Sequence, residues 1–220
     1  MKDTLIVLSG GLDSTTMLYE YQYRIGMAVS FHYGSNHNDR ELEFAKLHCE
    51  RLGIPHLVIR LPFIKQFFKS SLLEGADAIP EGNYDEENMK STVVPFRNGI
   101  MLAVAAGFAE SRKLDRIILG NHAGDHFIYP DCRPQFISCI SGAIWEGTGA
   151  HIRVESPFCN LTKAEIVEIG SRLAVPFKMT YSCYKGGKKH CGKCGTCVER
   201  KEAFELAGVP DPTVYENGEK

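Results

Sequence analysis

The sequence predicts an α/β fold: an open parallel sheet with helices on both faces, carrying a small C-terminal subdomain. Three observations lead there. Short continuous apolar runs alternate with stretches of helical periodicity along the chain. The first run, Leu5-Ile6-Val7-Leu8, enters a glycine turn and then a helix, as strands of a parallel sheet do. Four of the eight cysteines lie late in the chain at metal-ligand spacing. The expected division is a main domain over residues 1–180 and a four-cysteine subdomain over 181–220.

Each element has its own signal. Thr15 to Tyr21 reads as the first helix and Met27 to Phe31 as the second strand, with His32, Tyr33 and Gly34 at its carboxyl end. Asn38 and Glu41 have capping-box spacing ahead of the stripe Leu42, Ala45, Cys49, Leu52. Leu57 to Leu61 is the third strand, and a helix is expected from Phe63 to Leu73. Residues 75–91 are acidic and unperiodic, a solvated loop or a lid. Gly99 to about Arg112 is small and apolar nearly all round, which predicts an interior helix. Arg116 to Gly120 is the fourth strand, Pro134 to Trp145 a helix, and Ile152 to Val154 the fifth strand. Thr162 and Glu165 form a second capping box before Ile166, Ile169 and Leu173. A last helix runs from Cys197 to Ala207, with Gly208 as its stop.

The turn after the first strand is Ser9-Gly10-Gly11-Leu12-Asp13-Ser14. Two glycines let the backbone come close to a ligand, and the amides and dipole at a helix start favour an anion. Ser9 and Ser14 add hydroxyl donors. An ordinary glycine turn is the competing reading, and the full hexapeptide directly behind a strand weighs against it. No Gly-Lys-Ser/Thr follows, so a Walker-type phosphoryl transfer is disfavoured. Arg97 and Asn98 stand where a helix begins and offer donors to an anionic ligand. Beyond the fourth strand, Asn121 to Pro134 holds two His, two Asp, a Cys and an Arg, where open α/β sheets bind ligands.

Cys191, Cys194 and Cys197 are each separated by two residues, and Cys183 lies upstream across a Lys/Gly loop. Four soft ligands suit tetrahedral Zn²⁺, and a site filled by protein on all sides is structural. An iron–sulfur cluster, or His190 in place of Cys183, are the weaker readings.

Composition sets outer bounds. With 220 residues and 44% hydrophobic content there is a sizeable core. Lys+Arg 25 against Asp+Glu 27 gives no basic excess, which disfavours nucleic acid as a partner. Met1-Lys2-Asp3 leads straight into a strand and the most apolar segment is too short for a bilayer. Cysteines without a leader point to a reducing compartment, so a cytoplasmic location is expected.

The loop resembles that of the PP-loop ATP-pyrophosphatases, which adenylate their substrates. Joined with Arg97-Asn98, Gly120 and Asp125, Tyr129-Pro130-Asp131-Cys132-Arg133, Ser182-Cys183-Tyr184 and the cysteine triplet, it resembles the 7-cyano-7-deazaguanine synthase family from Leu5 to about Tyr215. Where that family usually has Phe-Ser-Gly after the Asp, this chain has His126-Phe127-Ile128, in the expected base pocket.

The resemblance implies a Rossmann-like fold of the adenine-nucleotide α-hydrolase type. It implies ATP, Mg²⁺ and one structural Zn²⁺ per chain, with 7-carboxy-7-deazaguanine and ammonia as substrates and a homodimer as the assembly. ATP would lie on Leu8, Ser9, Gly10, Gly11, Leu12, Asp13, Ser14 and Thr15. The base would meet Arg97, Asn98, Asp125, Tyr129, Asp131, Cys132 and Arg133, with Asp13, Arg97 and Asp125 catalytic. Cys183, Cys191, Cys194 and Cys197 would hold the metal. In the implied reaction the carboxylate is adenylated, ammonia converts it to the amide, and a second ATP drives loss of water to the nitrile. Two alternatives stand beside it: a relative that passes the activated carboxylate to another amine or stops at the amide, and a zinc-containing tRNA-binding or tRNA-modifying protein.

Overall fold

A computed structural model describes residues 2–216 and 218. The chain runs β1 (Thr4–Val7), α1 (Leu12–Tyr21), β2 (Ile25–His32), α2 (Asn38–Leu52), β3 (His56–Arg60), α3 (Pro62–Phe67) and α4 (Glu86–Met89). It continues through α5 (Arg97–Ser111), β4 (Arg116–Leu119), α6 (Pro134–Gly147), β5 (Arg153–Glu155), α7 (Lys163–Arg172) and α8 (Gly195–Leu206). The strands form one sheet in the order β3-β2-β1-β4-β5, with every pairing parallel.

Period-two alternation explains why the strands are apolar on successive residues. Leu5, Val29 and Ile117 face a cluster built with Leu102 and Ala105 of α5 and Ile137 and Ile144 of α6. Ile6, Ala28 and Ile118 face the opposite cluster, with Met17 and Leu18 of α1, Ala45 of α2, Ile166 of α7 and Phe204 of α8. The inner strands are therefore dry on both faces, as a parallel sheet requires, while Leu57 and Val58 of the edge strand β3 stay exposed. α8 returns from the cysteine segment to pack on α7, and it ends at Gly208, whose φ of 63° is left-handed. The Val209 amide there donates to the Phe204 carbonyl.

Several expectations are corrected. The helix expected from Thr15 begins at Leu12, inside the glycine turn. The helix expected over 63–73 stops at Phe67; the chain then turns so that Leu72 and Leu73 are buried while the Ser71 amide donates to the Ser91 carbonyl. Ile64, Leu72 and Leu73 are buried by tertiary contact, while Phe63 and Phe67 stay exposed. α5 is not buried all round, since Ala103 and Gly107 are exposed. Asn38 does not cap α2: its Oδ1 accepts from the amides of Tyr33, Gly34 and Ser35, pinning the end of β2. That leaves Glu41 free of capping duty. The Thr162/Glu165 box is present in full, with Glu165 Oε2 accepting from the Thr162 amide at 2.7 Å and Thr162 Oγ1 from the Glu165 amide at 3.3 Å.

Candidate active site

Strand order reverses between β1 and β4, and the loops leaving their carboxyl ends open a crevice there. One cavity fills it. It is bordered by Leu8, Ser9 and Gly11 to Ser14 on one side and by Gly120 to His122, Asp125, Tyr129 and Cys132 on the other. The glycine loop is braced from within: the Ser9 and Ser14 hydroxyls lie 3.0 Å apart, and the Gly11 amide donates to Ser9 Oγ at 3.0 Å. Gly10 has φ +92°, and a Cβ there would sit 2.1 Å from the Glu41 carbonyl oxygen. Its lack of a side chain lets α2 close onto the loop.

Behind the loop lies a buried charge cluster. The Asp13 carboxylate is 3.4 Å from Lys163 Nζ through Oδ2, and its Oδ1 is buried with no partner. Lys163 is the first residue of α7, set in place by the capping box, and pairs with Glu199 of α8 at 2.6 Å. Burial alone would strip its proton, but the Asp13, Glu199 and Asp125 carboxylates outweigh that and keep it charged. Asp125 accepts from the Tyr84 hydroxyl at 2.9 Å and from the His122 amide at 3.1 Å. Burial works to raise its carboxyl; His122, Lys163 and these donors together bring it below the usual range.

An aromatic and polar wall completes the cavity. The Tyr129 hydroxyl is 3.0 Å from both Thr92 Oγ1 and the Tyr184 hydroxyl. Tyr184 stacks on His37 with ring centroids 5.1 Å apart. Arg97 Nη1 donates to the Tyr33 hydroxyl at 3.0 Å. Cys132 is buried, and burial with Asp125 and Asp131 pushes its thiol well up, which suits a pocket wall and not a nucleophile.

The four late cysteines converge. Their sulfurs all lie within 4.8 Å of one another, and all four residues are buried. The Lys193 and Cys194 amides donate to Cys191 Sγ at 3.4 and 3.3 Å, and the Cys191 amide to Cys183 Sγ at 3.4 Å. Amide donors stabilise thiolates, yet four thiolates this close repel unless a cation joins them, so this donor set could hold a metal ion. His190 is not part of it: its Nε2 accepts from the Ser182 amide at 3.1 Å.

The queuosine biosynthesis protein QueC family matches residues 3–208. The chain belongs to the QueC family. It is 61% identical over 215 residues to the 7-cyano-7-deazaguanine synthase of Porphyromonas gingivalis, covering 98% of each chain. The synthase of Desulfotalea psychrophila is 51% identical over 98% of this chain and 99% of its own length. That of Rhizobium meliloti is 47% identical over 97% and 92%. Among solved structures, NMN synthetase from Francisella tularensis aligns at a TM-score of 0.49 and 17% identity over 99% of this chain and 80% of that one.

Within this QueC chain, the cavity gathers most of the residues expected at the site. Leu8, Ser9, Gly11, Leu12, Asp13, Ser14, Arg97, Asn98, Asp125, Tyr129 and Cys132 all border it. Four expected residues do not. Gly10 packs against α2, and Thr15 is fully buried beneath the loop. Asp131 is turned to α5, where its Oδ2 accepts from the Asn98 amide at 2.7 Å. Arg133 is exposed, and its Nε donates to the His126 carbonyl. His126, Phe127 and Ile128 stay out of the cavity as well; Phe127 is 71% exposed and Ile128 packs with Met89. Sequence reasoning missed Tyr33, His37, Glu41, Tyr84, Lys163 and Tyr184 as cavity residues. Lys163 was signalled only as the residue after a cap; Tyr84 stands in an unperiodic segment and carried no signal.

Proposed function

We propose that this QueC protein is a 7-cyano-7-deazaguanine synthase, converting 7-carboxy-7-deazaguanine and ammonia to the nitrile at the expense of ATP. One observation carries the reading: a single cavity has the Ser9–Ser14 loop at one end and the Asp125, Tyr129, Cys132 wall at the other. That arrangement suits a nucleotide phosphate beside a small polar heterocycle. The three relatives quoted above, each named as the synthase, favour it over transfer to another amine and over RNA binding.

In this reading the protein's contribution is positioning and charge stabilisation. The first turn of α1 and Ser9 receive the phosphates of ATP. Arg97 and Lys163 bring positive charge to the cavity, against the charge that builds as pyrophosphate leaves. Asp125, held ionised by its donors, accepts from the ring N–H and amino groups of the deazaguanine, and Asn98, Tyr129 and Cys132 border it. Asp13 Oδ1, buried without a partner, fits as a ligand for Mg²⁺, which would neutralise the phosphates when bound. Zn²⁺ is the metal we assign to the cysteine site. Its sulfurs are separated by 3.9 Å (Cys191–Cys197) and 4.0 Å (Cys183–Cys194), and a tetrahedron with Zn–S near ~2.3 Å has edges of roughly 3.8 Å.

A homodimer in the cytoplasm fits the remaining features. Phe96 and Phe127 are 57% and 71% exposed, which offers apolar surface to a second copy, and no disulfide joins the described cysteines. Among the described residues no helix is long and apolar enough to cross a membrane. The test of function is mass spectrometry after incubation with 7-carboxy-7-deazaguanine, ATP, Mg²⁺ and ammonium. Nitrile with AMP and pyrophosphate is the expected result; ADP as the main nucleotide product, or no nitrile, would overturn it.

A further inference from the structure

Glu41 lies in the cavity without a task in the scheme above. Its carboxyl stands over the phosphate loop, with Oε1 3.9 Å from the position a Cβ on Gly11 would take. The side chain keeps 16% of its surface open, and Nε2 of His37 lies 3.7 Å from its Oε2. Among the described residues it accepts no hydrogen bond, unlike Asp125 and Asp131, which are both engaged. A cavity-facing carboxyl left bare beside the loop where the substrate would be activated is a site for a small N–H-bearing cation.

We infer, on the basis of the synthase reading, that Glu41 captures the ammonium ion and takes its first proton, delivering ammonia to the acyl adenylate. The balance is complete. Glu41 carboxylate and NH₄⁺ become the carboxylic acid and NH₃. The nitrogen lone pair then forms a bond to the acyl carbon, and the acyl–oxygen bond breaks with its electrons leaving on AMP. The second proton departs from the tetrahedral nitrogen to solvent, leaving the carboxamide. Ammonium has no lone pair, so some group must remove this proton before attack.

The surroundings suit the role. Burial raises the Glu41 carboxyl to about 8, against the opposing pull of Arg97 from α5. The carboxylate that takes the ammonium proton is therefore the form that prevails above about pH 8, and with a proton affinity close to that of ammonia the group both accepts and returns protons readily. The other ionisable neighbour, His37 at the start of α2, is held neutral because burial, then Arg97, lowers it to about 3. His37 therefore adds no positive charge beside Glu41, and Arg97 is the cation that acts on it. Position also separates this carboxyl from ring recognition: it lies at the phosphate loop, whereas Asp125 lies beyond β4 with Tyr129 and Cys132.

The experiment compares wild type with Glu41→Gln in three assays on the same preparation. The first is acid, ATP and an ammonium series; the second is the ready-made carboxamide with ATP; the third is pyrophosphate exchange with acid and no ammonium. The expected loss for Glu41→Gln is about 100-fold or more in ammonium-dependent amide formation. Carboxamide dehydration and pyrophosphate exchange should stay within about two-fold, which also shows that the variant is folded. Raising the pH with excess ammonium, so that free ammonia predominates, should narrow the deficit. Equal losses with acid and carboxamide would overturn the inference, since both carry the same ring and Glu41 would then be reading the base. Loss of pyrophosphate exchange would overturn it too, by assigning Glu41 to the adenylate. A wild type that makes no nitrile from either substrate counts against the synthase reading itself, before Glu41 is reached.

Discussion

The hydroxyl of Tyr84 donates to Oδ1 of Asp125 at 2.9 Å, joining residues 41 positions apart in the chain. Tyr84 belongs to the acidic stretch before α4, and that stretch is fastened to the metal segment. Glu81 forms an antiparallel bridge with Cys194, the Gly82 amide donates to the Lys193 carbonyl at 2.8 Å, and Lys185 pairs with Glu81. Gly195 is packed so closely on Met89 that a Cβ would lie 2.5 Å from its sulfur. The metal segment thus holds the strap that brings Tyr84 to the cavity carboxylate.

Tyr84→Phe should remove that donor and leave the ring. A hydrogen bond to a charged group contributes about 1.5–3 kcal/mol, and a loss of that order in kcat/KM for the deazaguanine is expected. The ATP terms should move less, because the hydroxyl bonds to Asp125 and not to the Ser9–Ser14 loop. Steady-state kinetics with each substrate varied in turn will show it; an unchanged base term with a weakened ATP term would reassign Tyr84.

Stripping the metal with a chelator should free the strap before it unfolds the sheet. Hydrogen exchange read by mass spectrometry should rise over 81–89 by at least roughly ten-fold, equivalent to ~1.4 kcal/mol of local opening. Strands β1 and β4, buried on both faces, should keep their protection. Unchanged exchange over 81–89 would mean the segment is held by Tyr84 and Met89 alone.

Asp131 and Arg133 should separate cleanly. Asp131→Ala loses the acceptor for the first turn of α5, and removal of such a cap costs about 0.5–2 kcal/mol in a denaturant titration. Arg133→Ala changes an exposed side chain outside the cavity, so affinity for the base should hold. A ten-fold weakening of base binding in Arg133→Ala would return that residue to the pocket.

The Glu41 carboxyl leaves a signature in stability as well as in catalysis. Its folded value is raised from 4.5 to about 8, so the folded chain keeps a proton that the unfolded chain gives up. That contribution is fully present below about pH 4.5 and is lost as the pH rises through about 8. Glu41→Gln removes the titration. Its stability relative to wild type should therefore climb across this window and level off above it, by a few kcal/mol at most. Urea titrations at a series of pH values provide the readout, and a flat difference would place the carboxyl in an ordinary solvated setting.

By itself the sequence determined the elements whose signals are local. Buried strands read as apolar runs because both sheet faces are covered, as Leu5 and Ile6 are. The glycine loop, the Thr162/Glu165 box and the cysteine spacing each need only neighbours a few residues away, and each formed as spaced. Tertiary structure decided the rest. Asn38 and Glu41 had the spacing of a capping box, yet the amides at the end of β2 took Asn38 and the cavity took Glu41. Asp131 and Asp125 are indistinguishable as letters; packing turned one to the Asn98 amide of α5 and the other to Tyr84. Lys163 meets Asp13 and Glu199 only because α7 packs against both α1 and α8. Side-chain direction and long-range pairing are set by which faces the sheet buries, and no local spacing records that.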